Sequence, residues 1–492
     1  MRFPTAKAWS PAWAGALFVA INIGFIGVYP LVSGDEAIGN DAAAEWVLHG
    51  VIRSSLFADR PGFGHGYFLQ PPGQLLTGAG TYRLFGFGLW QTRLGALAWA
   101  ACAVAALGLL AEKWCASRRA GWIAALLFAL NPQFGETVGQ ARMDGQALCL
   151  LALGCLVFTR SRADGGSRRT LLFWAGLLVG LAGITHAVSA FWAAGLGVVL
   201  VGACRNRWRA GLADLAVFGA AAALPTAAWL AVGAAHPDEF RAQFLAHARA
   251  KVGGPGLPGQ IRLEAVRWIT KSYAHTPLLL AAFLGGALWW PWAAGIDRAT
   301  RMTVIALTGI VAAATTVLLT KDSGPFNLYP AALLTILAGG WIDRVEAAAP
   351  RLPSWMRWGA RAGAALLALN LAAKFALPRL VAVTVQREAR DYAPIAEAIR
   401  RRVPAGAVVC GYPISWYAVE AAGASLRIGS GPDIRRHDFV ICGPDDPMRA
   451  PPGFVLLDEF GKELPRFMGR LFAPGWSYHM LLYGRPPGPG TR

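Results

Sequence analysis

The chain has 492 residues, of which 55% are hydrophobic and 15% are charged. A soluble globular domain carries roughly 25% charged residues, and a soluble chain of this length could not bury so much apolar surface. The composition therefore excludes an ordinary soluble protein and indicates a polytopic α-helical membrane protein. The net charge of +18 does not indicate nucleic-acid binding, because Arg and Lys fall mainly in short loops between apolar segments, as in cytoplasmic loops.

Apolar segments recur from residue 11 onward, and about 20 residues are needed to cross a bilayer as a helix. The first follows the basic decapeptide MRFPTAKAWS. A cleaved signal peptide is the alternative, but residues 11–32 are longer than a signal core and no clean small-residue cleavage site follows. We interpret this segment as a retained helix. Eleven spans are predicted, at 11–32, 92–111, 119–135, 144–159, 171–186, 188–204, 210–235, 276–296, 302–320, 326–342 and 358–380.

The charges of the loops predict the orientation. If each span crosses once, basic or mixed loops fall on the side of the N-terminus, at 112–119, 160–169, 205–209, 297–301 and 343–361. The positive-inside rule places that side in the cytoplasm. Loops 33–91 and 236–275 and the C-terminus then lie outside, so the predicted topology is N-in and C-out.

The first outer loop begins with VSGDEAIGNDAAAEWVLHG, in which four carboxylates fall within eleven residues. Asp35 and Glu36 directly follow the first span, where a lipid-borne substrate would present its head group. Residues 37–50 predict a short surface helix, and Asp41 and Glu45 are four apart and share one face of it. The alternative is that Asp35 and Glu36 are only solvated or capping residues.

Three further segments fall on the same predicted side. In GYFLQPPGQLLTGAGTYRLFGFGLWQTRL the Pro pair breaks an incoming helix, and we predict an interfacial helix with Arg83 and Arg93 near the head groups. In NPQFGETVGQARMDGQALCL, Arg142 and Asp144 open the fourth span. The planar fork of an Arg suits a phosphate; the alternative is that Arg142 only braces the loops through Asp144 or Asp35. In LLTKDSGPFNLYPAALL, Lys321 emerges at a helix end, where a snorkelling Lys is common.

Six motifs occur in order along the chain: GDEA, YFLQPPGQLL, NPQF with QARMDGQAL, GLLVGLAGITHAV, HPDEFRAQFL and TKDSGPFNLYPAAL. The series covers roughly residues 10–380. It resembles the bacterial dolichyl-phosphate-mannose protein mannosyltransferase superfamily, with its lipid A aminoarabinose transferases and lipopolysaccharide galacturonosyltransferases. The resemblance implies the GT-C membrane fold. It also implies transfer of a sugar from a polyprenyl-phosphate carrier to a lipid or protein acceptor on the periplasmic face, usually with inversion.

The resemblance implies roles for individual residues. Asp35 corresponds to the catalytic base, with Glu36 as its neighbour, and Asp144 corresponds to the acid of the second outer loop. Arg142 stands where related enzymes place a phosphate-binding Arg. Lys321 resembles a basic residue that the family often has in its loop.

Two positions depart from the family pattern. Gln70 precedes Pro71 where many relatives have Lys, so Arg83, Arg93 or Lys321 takes the phosphate charge, or the donor is held differently. His186 replaces a Lys common in the lipid A enzymes and either contacts the donor or packs internally.

The chemistry requires a base, fixed cations and exclusion of water. Asp35 would supply the base, and Arg142, Lys321 and Arg93 the cations, while Tyr329 is a possible substrate contact. Loops 51–70 and 236–275 would exclude water, and KVGGPGLPG within the second suits a mobile flap rather than a helix or strand. No His/Cys spacing supports a metal site, so neither a metal nor another cofactor is expected.

The tail differs from the rest, and we predict domains at 1–384 and 385–492. An amphipathic helix in REARDYAPIAEAIRRRVP and strands in GAVVCGYPI, SLRIGS, HDFVICG, GFVLLDEF and SYHMLLYGR predict a small external α/β domain. Its two cysteines, Cys410 and Cys442, form either a disulfide or two buried thiols. The domain either shapes the acceptor site or only stabilises the protein.

A transporter or lipid flippase is the main alternative function. It is disfavoured because we find no clear internal repeat, and because the notable charges lie at one surface rather than at mid-membrane. A signalling or scaffolding membrane protein would leave the clustered acids and bases without a purpose. The sequence does not determine the sugar, the acceptor or the oligomeric state.

Overall fold

The computed structural model describes residues 10–163, 168–203, 208–251, 256–273, 276–319, 324–351, 353–428, 436–446, 452–464 and 478–486. The N-terminal helices are α1 (Trp13–Asn22), α2 (Gly34–His49), α3 (Gly73–Phe85), α4 (Leu89–Cys115), α5 (Arg118–Ala129), α6 (Pro132–Gly139), α7 (Asp144–Ala163), α8 (Arg168–Gly183), α9 (Ala190–Ala203) and α10 (Trp208–Ala235). The following helices are α11 (Pro237–Phe240), α12 (Ala246–Lys251), α13 (Gly256–Val266), α14 (Pro277–Trp289), α15 (Arg298–Leu318), α16 (Leu328–Ala348) and α17 (Ser354–Thr384).

Each predicted span corresponds to a helix of the structure, in the order α1, α4, α5, α7, α8, α9, α10, α14, α15, α16 and α17. Among the described residues, α4, α10, α15 and α17 are each long and apolar enough to cross a membrane. The bent pair of α6 and α7, with 118° between its two helices, is a possible fifth span. The helical segments are thus confirmed, while the count of eleven crossings and the N-in, C-out orientation stay predictions.

The outer loop at 236–275 differs from its prediction. Residues 256–259, the second half of KVGGPGLPG, begin helix α13, although the sequence favours neither helix nor strand there. Residues 252–255 lie outside the described part of the chain. Before them come α11, a π-helical turn at Arg241–Leu245 and α12. Most of the described part of this loop is therefore helical.

The tail folds as predicted, into a small α/β domain. Its elements are α18 (Ala393–Arg402), β1 (Val408–Gly411), α19 (Trp416–Ala421), β2 (Ser425–Arg427), β3 (Phe439–Cys442), β4 (Val455–Phe460) and β5 (Met480–Gly484). The sheet order is β2-β1-β3-β5-β4. Strand β1 is parallel to β2 and β3, and β5 is antiparallel to β3 and β4. Cys410 and Cys442, on the neighbouring strands β1 and β3, are both buried thiols.

One hydrophobic core joins α2 and residues 51–70 to the α/β domain. The backbone N–H of Val32 donates to the Tyr478 hydroxyl at 2.9 Å, and that of Ile428 donates to the Leu56 carbonyl at 2.8 Å. Helix α2 was predicted as a short helix on the surface. It is a helix, but the α/β domain covers it, and this docking buries its carboxylates Asp41 and Glu45.

Candidate active site

Helix α2 gives its first two carboxylates different environments. The Ser33 hydroxyl caps the helix by accepting from the Glu36 backbone N–H at 3.2 Å. Carboxylates in a first helical turn are favoured by the helix dipole. The Asp35 side chain is 66% exposed, whereas the Glu36 side chain is fully buried. Asp35 is therefore the one of the two that can meet a substrate.

Arg142 lies in the sharp bend between α6 and α7. The preceding residue, Ala141, has a φ of +46°, which is unfavourable for a residue with a Cβ. The Ala141 carbonyl accepts from the Gln74 amide at 3.0 Å and from the Asn40 amide at 3.5 Å. These hydrogen bonds connect the bend to α3 and α2. The bend in turn directs Arg142 toward the start of α2.

Arg142 joins two carboxylates. Its Nη1 donates to Asp35 Oδ2, and its Nε donates to Asp144 Oδ2 at 3.1 Å. Asp144, the first residue of α7, is fully buried, and the Arg142 side chain is 11% exposed. The structure therefore brings together three of the predicted site residues, Asp35, Arg142 and Asp144, as a trio with its exposed carboxylate facing outward.

His186 and Tyr329 lie beside Asp144. The Nδ1 of His186 accepts from the Val188 backbone N–H at 3.3 Å, so a neutral ring carries its proton on Nε2, which is 3.9 Å from Asp144 Oδ1. The His186 and Tyr329 rings are 5.3 Å apart. Asp144 Oδ1, the Tyr329 hydroxyl and the Ser189 hydroxyl are buried next to one another, and none makes a hydrogen bond of good geometry among the described residues.

Gly73 positions the turn that carries His186. Its backbone N–H donates to the Ile184 carbonyl at 2.7 Å, and a Cβ at this position would lie 2.4 Å from Thr185 Oγ1. The QPPG motif thus brings α3 against the end of α8. Gln70, at the start of this motif, is half-buried, and its Oε1 has no hydrogen-bond partner among the described residues.

Lys251 is a cation near this site that the sequence analysis missed. It ends α12, and its Nζ lies 5.5 Å from the centre of the Phe326 ring, which is 5.5 Å from the His186 ring. The predicted cation Lys321 lies outside the described residues. Lys251 precedes the Gly-rich stretch, and no sequence pattern relates it to a residue so far along the chain.

The sequence profile of the dolichyl-phosphate-mannose-protein mannosyltransferase family matches residues 70–229. Among solved structures, the chain is similar to ArnT from Cupriavidus metallidurans bound to undecaprenyl phosphate, with a TM-score of 0.66, 17% identity and coverage of 96% of this chain and 98% of that one. The chain has the GT-C membrane fold. A search of curated proteins finds no match.

Two larger proteins with the GT-C fold are also similar. The oligosaccharyltransferase AglB from Archaeoglobus fulgidus, in complex with an inhibitory peptide and a dolichol-phosphate, has a TM-score of 0.55 and 12% identity over 89% of this chain and 69% of that one. The arabinofuranosyltransferase AftD from Mycobacteria has a TM-score of 0.55 and 16% identity over 98% of this chain and 40% of that one.

Arg93, which was predicted to lie near the head groups, has a fully buried side chain. Its Nε and Nη2 donate to the two oxygens of Glu36 at 2.8 Å, and its Nη1 donates to the carbonyls of Ile26 and Pro30 at 2.9 Å. The Tyr417 hydroxyl also donates to Glu36, at 3.2 Å. Burial in the contact between α4, α2 and the α/β domain removes Arg93 from the surface.

Arg83 also has a partner away from the trio. It is exposed in the last turn of α3, and its guanidinium stacks on the Trp46 ring at 4.7 Å. This cation–π contact connects α3 to α2. The sequence of the segment alone does not distinguish such a contact from binding of a lipid head group.

The two outer loops that were expected to exclude water pack against each other. The Gln243 side chain, 1% exposed, accepts from the Phe68 backbone N–H at 2.6 Å. Its amide nitrogen donates to the Gly62 and Gly66 carbonyls at 2.6 and 2.9 Å. One side chain thus connects the loop at 236–251 to the loop at 51–70, so the two form one cover rather than two separate loops.

A second acidic cluster lies between α2 and the α/β domain. Burial raises the pKa of Asp41 to about 6, although hydrogen bonds from Ser54, Ser55 and the Leu56 backbone oppose the shift. Burial, with the negative charges of Asp41 and Glu45, raises the pKa of Glu420 to about 8. The contribution of Glu420 could not be found from the sequence, because the domain docking alone brings it to α2.

Proposed function

We propose that this protein is a glycosyltransferase that moves a sugar from a polyprenyl-phosphate donor to a lipid or protein acceptor. The observation that carries the proposal is the Arg142 side chain, which joins the exposed carboxylate of Asp35 to the buried one of Asp144. The family profile over residues 70–229 and the polyprenyl phosphates bound to the similar ArnT and AglB structures support the class of donor.

Asp35 acts as the general base. As the acceptor hydroxyl attacks the anomeric carbon, its proton passes to the carboxylate, which must lie within hydrogen-bond reach. The new glycosidic bond forms while the bond from the anomeric carbon to the phosphate oxygen breaks. A single displacement of this kind inverts the anomeric configuration. The 66% exposure of Asp35 supports access of an acceptor.

Arg142 stabilises the leaving phosphate. The phosphodiester becomes a monoester as the sugar departs, so negative charge grows on it, and a cation held in place beforehand lowers the barrier. The buried Asp144 holds the Arg142 guanidinium through Nε. When a donor phosphate accepts the hydrogen bond of Arg142 Nη1 in place of Asp35, the Asp35 carboxylate is free to act as the base. Donor binding and base activation are then coupled through one side chain.

Other residues contribute through position and charge. Lys251 and Lys321 add positive charge around the phosphate, and His186 Nε2 and the Tyr329 hydroxyl donate hydrogen bonds to the donor head group. The Gln70 side chain offers a hydrogen bond without a charge. The Glu36–Arg93 pair instead has a structural role, since its donors and acceptors are used internally.

The reaction takes place at the outer surface of the inner membrane, with the α/β domain in the periplasm. The sidedness of the basic loops supports this orientation. The cover formed by residues 51–70 and 236–251 protects the donor from hydrolysis. Its packing through Gln243 supports this role.

The test uses the purified full-length protein with radiolabelled polyprenyl-phosphate sugars and extracted envelope lipids. We expect transfer by the wild type, and loss of transfer with retained donor binding in Asp35→Asn. Asp59→Asn is the matched control, because Asp59 is 55% exposed and is also paired, with His437 at 3.0 Å. Near-wild-type turnover in Asp35→Asn would show that Asp35 is not the base. Movement of the carrier lipid across vesicles without sugar transfer would favour a flippase.

A further inference from the structure

Two residues of α2 and one of the α/β domain form a cluster apart from the Asp35–Arg142–Asp144 trio. Glu45 and His49 are one helical turn apart near the end of α2, and Glu420 lies on α19. One possible ligand atom from each of these side chains lies within 4.8 Å of the other two. Two carboxylate oxygens and an imidazole nitrogen therefore converge from two elements that are distant in the sequence.

This donor set suits a divalent transition metal. Imidazole and carboxylate together bind Zn²⁺ and similar ions, and three protein ligands leave a position for water. Residues four apart on a helix project from the same face, so Glu45 and His49 can bind one ion. Glu45 and Glu420 are buried, whereas the His49 side chain is 52% exposed. An ion can reach the cluster from the side of His49.

The charges of the cluster also favour a bound cation. Three buried carboxylates, Asp41, Glu45 and Glu420, lie around one docking surface. The basic contacts to Glu45 within the described residues are His49 at 3.7 Å and Arg53 at 3.3 Å. Buried like charges are costly unless a counter-charge is present, and a divalent ion supplies two positive charges. Arg53, 48% exposed, can turn away into solvent when an ion occupies the site.

Neighbouring groups orient the proposed ligands. The Ser55 hydroxyl makes hydrogen bonds with Glu420 Oε1 at 3.2 Å and with Asp41 Oδ1 at 2.6 Å. The Leu426 backbone N–H lies 3.4 Å from the same Glu420 oxygen and donates to it. Hydrogen bonds of this kind fix ligand carboxylates in metal sites. They leave Glu420 Oε2 for an ion.

We propose that Glu45, His49 and Glu420 bind one divalent cation of the zinc or manganese class, which fastens the α/β domain to helix α2. This site is structural and is separate from the proposed transfer chemistry, so it does not depend on the proposed function. No metal was expected from the sequence, because no His/Cys spacing supports one, and Glu45 and His49 lie only four residues apart on one helix. The third ligand, Glu420, comes from the tail through the tertiary structure.

The test uses full-length protein in detergent, treated with EDTA and dialysed, to which ZnCl₂ or MnCl₂ is added alone. Bound metal is counted by elemental analysis, and thermal unfolding is followed in parallel. We expect one equivalent per chain with one of these metals. We also expect a rise in Tm that saturates with concentration, because an ion that binds only the native state stabilises it.

Variants separate this site from others. His49→Gln and Glu420→Gln should each weaken binding by at least about tenfold, a loss that even outer-shell substitutions cause. His236→Gln is the matched control, because His236 is 51% exposed and lies 3.9 Å from Glu239, and it should bind like the wild type. Glu420→Gln keeps the side-chain shape and replaces only the carboxyl group with an amide, so the fold should persist.

Three results would overturn the proposal. The first is that the wild type binds neither metal. The second is that His49→Gln and Glu420→Gln both retain wild-type affinity. The third is that Asp35→Asn, and not these variants, loses the ion, which would place the metal at the candidate active site instead. A different result separates the two proposals. If the wild type binds the metal and both His49→Gln and Glu420→Gln lose it, but no sugar transfer is detected, the metal site is upheld and only the proposed function is rejected.

Discussion

Arg93 and Glu36 form a bidentate ion pair in which both side chains are fully buried. The pair connects α4 to the helix that carries Asp35, and Tyr417 connects it to the α/β domain. Removing one partner of such a pair leaves an uncompensated buried charge, which costs about 3–5 kcal/mol. The pair therefore fixes Glu36 at the start of α2 and so positions the adjacent residue, Asp35.

We expect Glu36→Gln to lower the thermal stability strongly, by about 3–5 kcal/mol in free energy of unfolding. The measurement is thermal or denaturant unfolding in detergent. Arg402→Ala is the control, because Arg402 is 54% exposed and lies 3.2 Å from Asp458, and an exposed pair contributes about 0–1 kcal/mol. Similar losses in the two variants would contradict a structural role for the buried pair.

Substitution of Arg142 tests the coupling of the two carboxylates. Arg142→Lys keeps the charge but not the planar fork, so it cannot contact Asp35 and Asp144 as the guanidinium does. We expect kcat for sugar transfer to fall roughly a hundred- to a thousandfold, as when one preorganised donor is lost. Arg60→Lys, at an exposed Arg that stacks on Phe57 at 4.8 Å, should change little. Equal rates for the two variants would contradict the role of Arg142.

Two glycines of α3 provide a matched pair. In Gly73→Ala the new Cβ would meet Thr185 Oγ1 at 2.4 Å and the Thr185 Cα at 2.7 Å, and a backbone atom cannot move aside. We expect a displaced His186 turn, with lower stability and weaker donor binding. Gly80→Ala, where a Cβ meets nothing within 4 Å, should stabilise the helix by up to about 1 kcal/mol. If Gly73→Ala binds donor normally, the turn is not set by this contact.

Asp41 predicts a pH dependence of stability. Burial raises its pKa in the folded protein from 3.8 to about 6. The native state then binds this proton more tightly than the unfolded chain does. The contribution of Asp41 to stability is therefore complete below the unfolded pKa and decreases as the pH rises through about 6. The shift corresponds to a loss on the order of 3 kcal/mol.

Asp41→Asn should remove this part of the pH profile. The wild type and the variant are unfolded between pH 4 and pH 8 with EDTA present, so that neither can bind a metal. We expect the difference in Tm between them to change mainly from pH 4 to pH 6, in favour of the variant as the pH rises. The charge of Asp41 also helps to raise the pKa of Glu420, so the difference between the two profiles contains this coupling as well as the titration of Asp41. Parallel profiles would contradict the assignment.

The sequence by itself determined the parts of this protein that depend on neighbours along the chain. The apolar runs predict the helices of the bundle, and short segments between turn signals predict the five strands of the tail, because these signals are local in sequence. The adjacency of Arg142 and Asp144 at the start of α7 was readable for the same reason.

Only the tertiary structure decided which charges meet. The segment around Arg93 reads as an interfacial helix, but Arg93 turns inward to Glu36, and this pairing depends on how α4 packs against α2. Lys251 and Glu420 reach their sites because the outer loops and the α/β domain fold back over α2. The electrostatic energy of an ion pair depends on the distance between its two charges, and only the packed chain defines that distance. No periodic pattern in the sequence therefore indicates which charged side chains will pair.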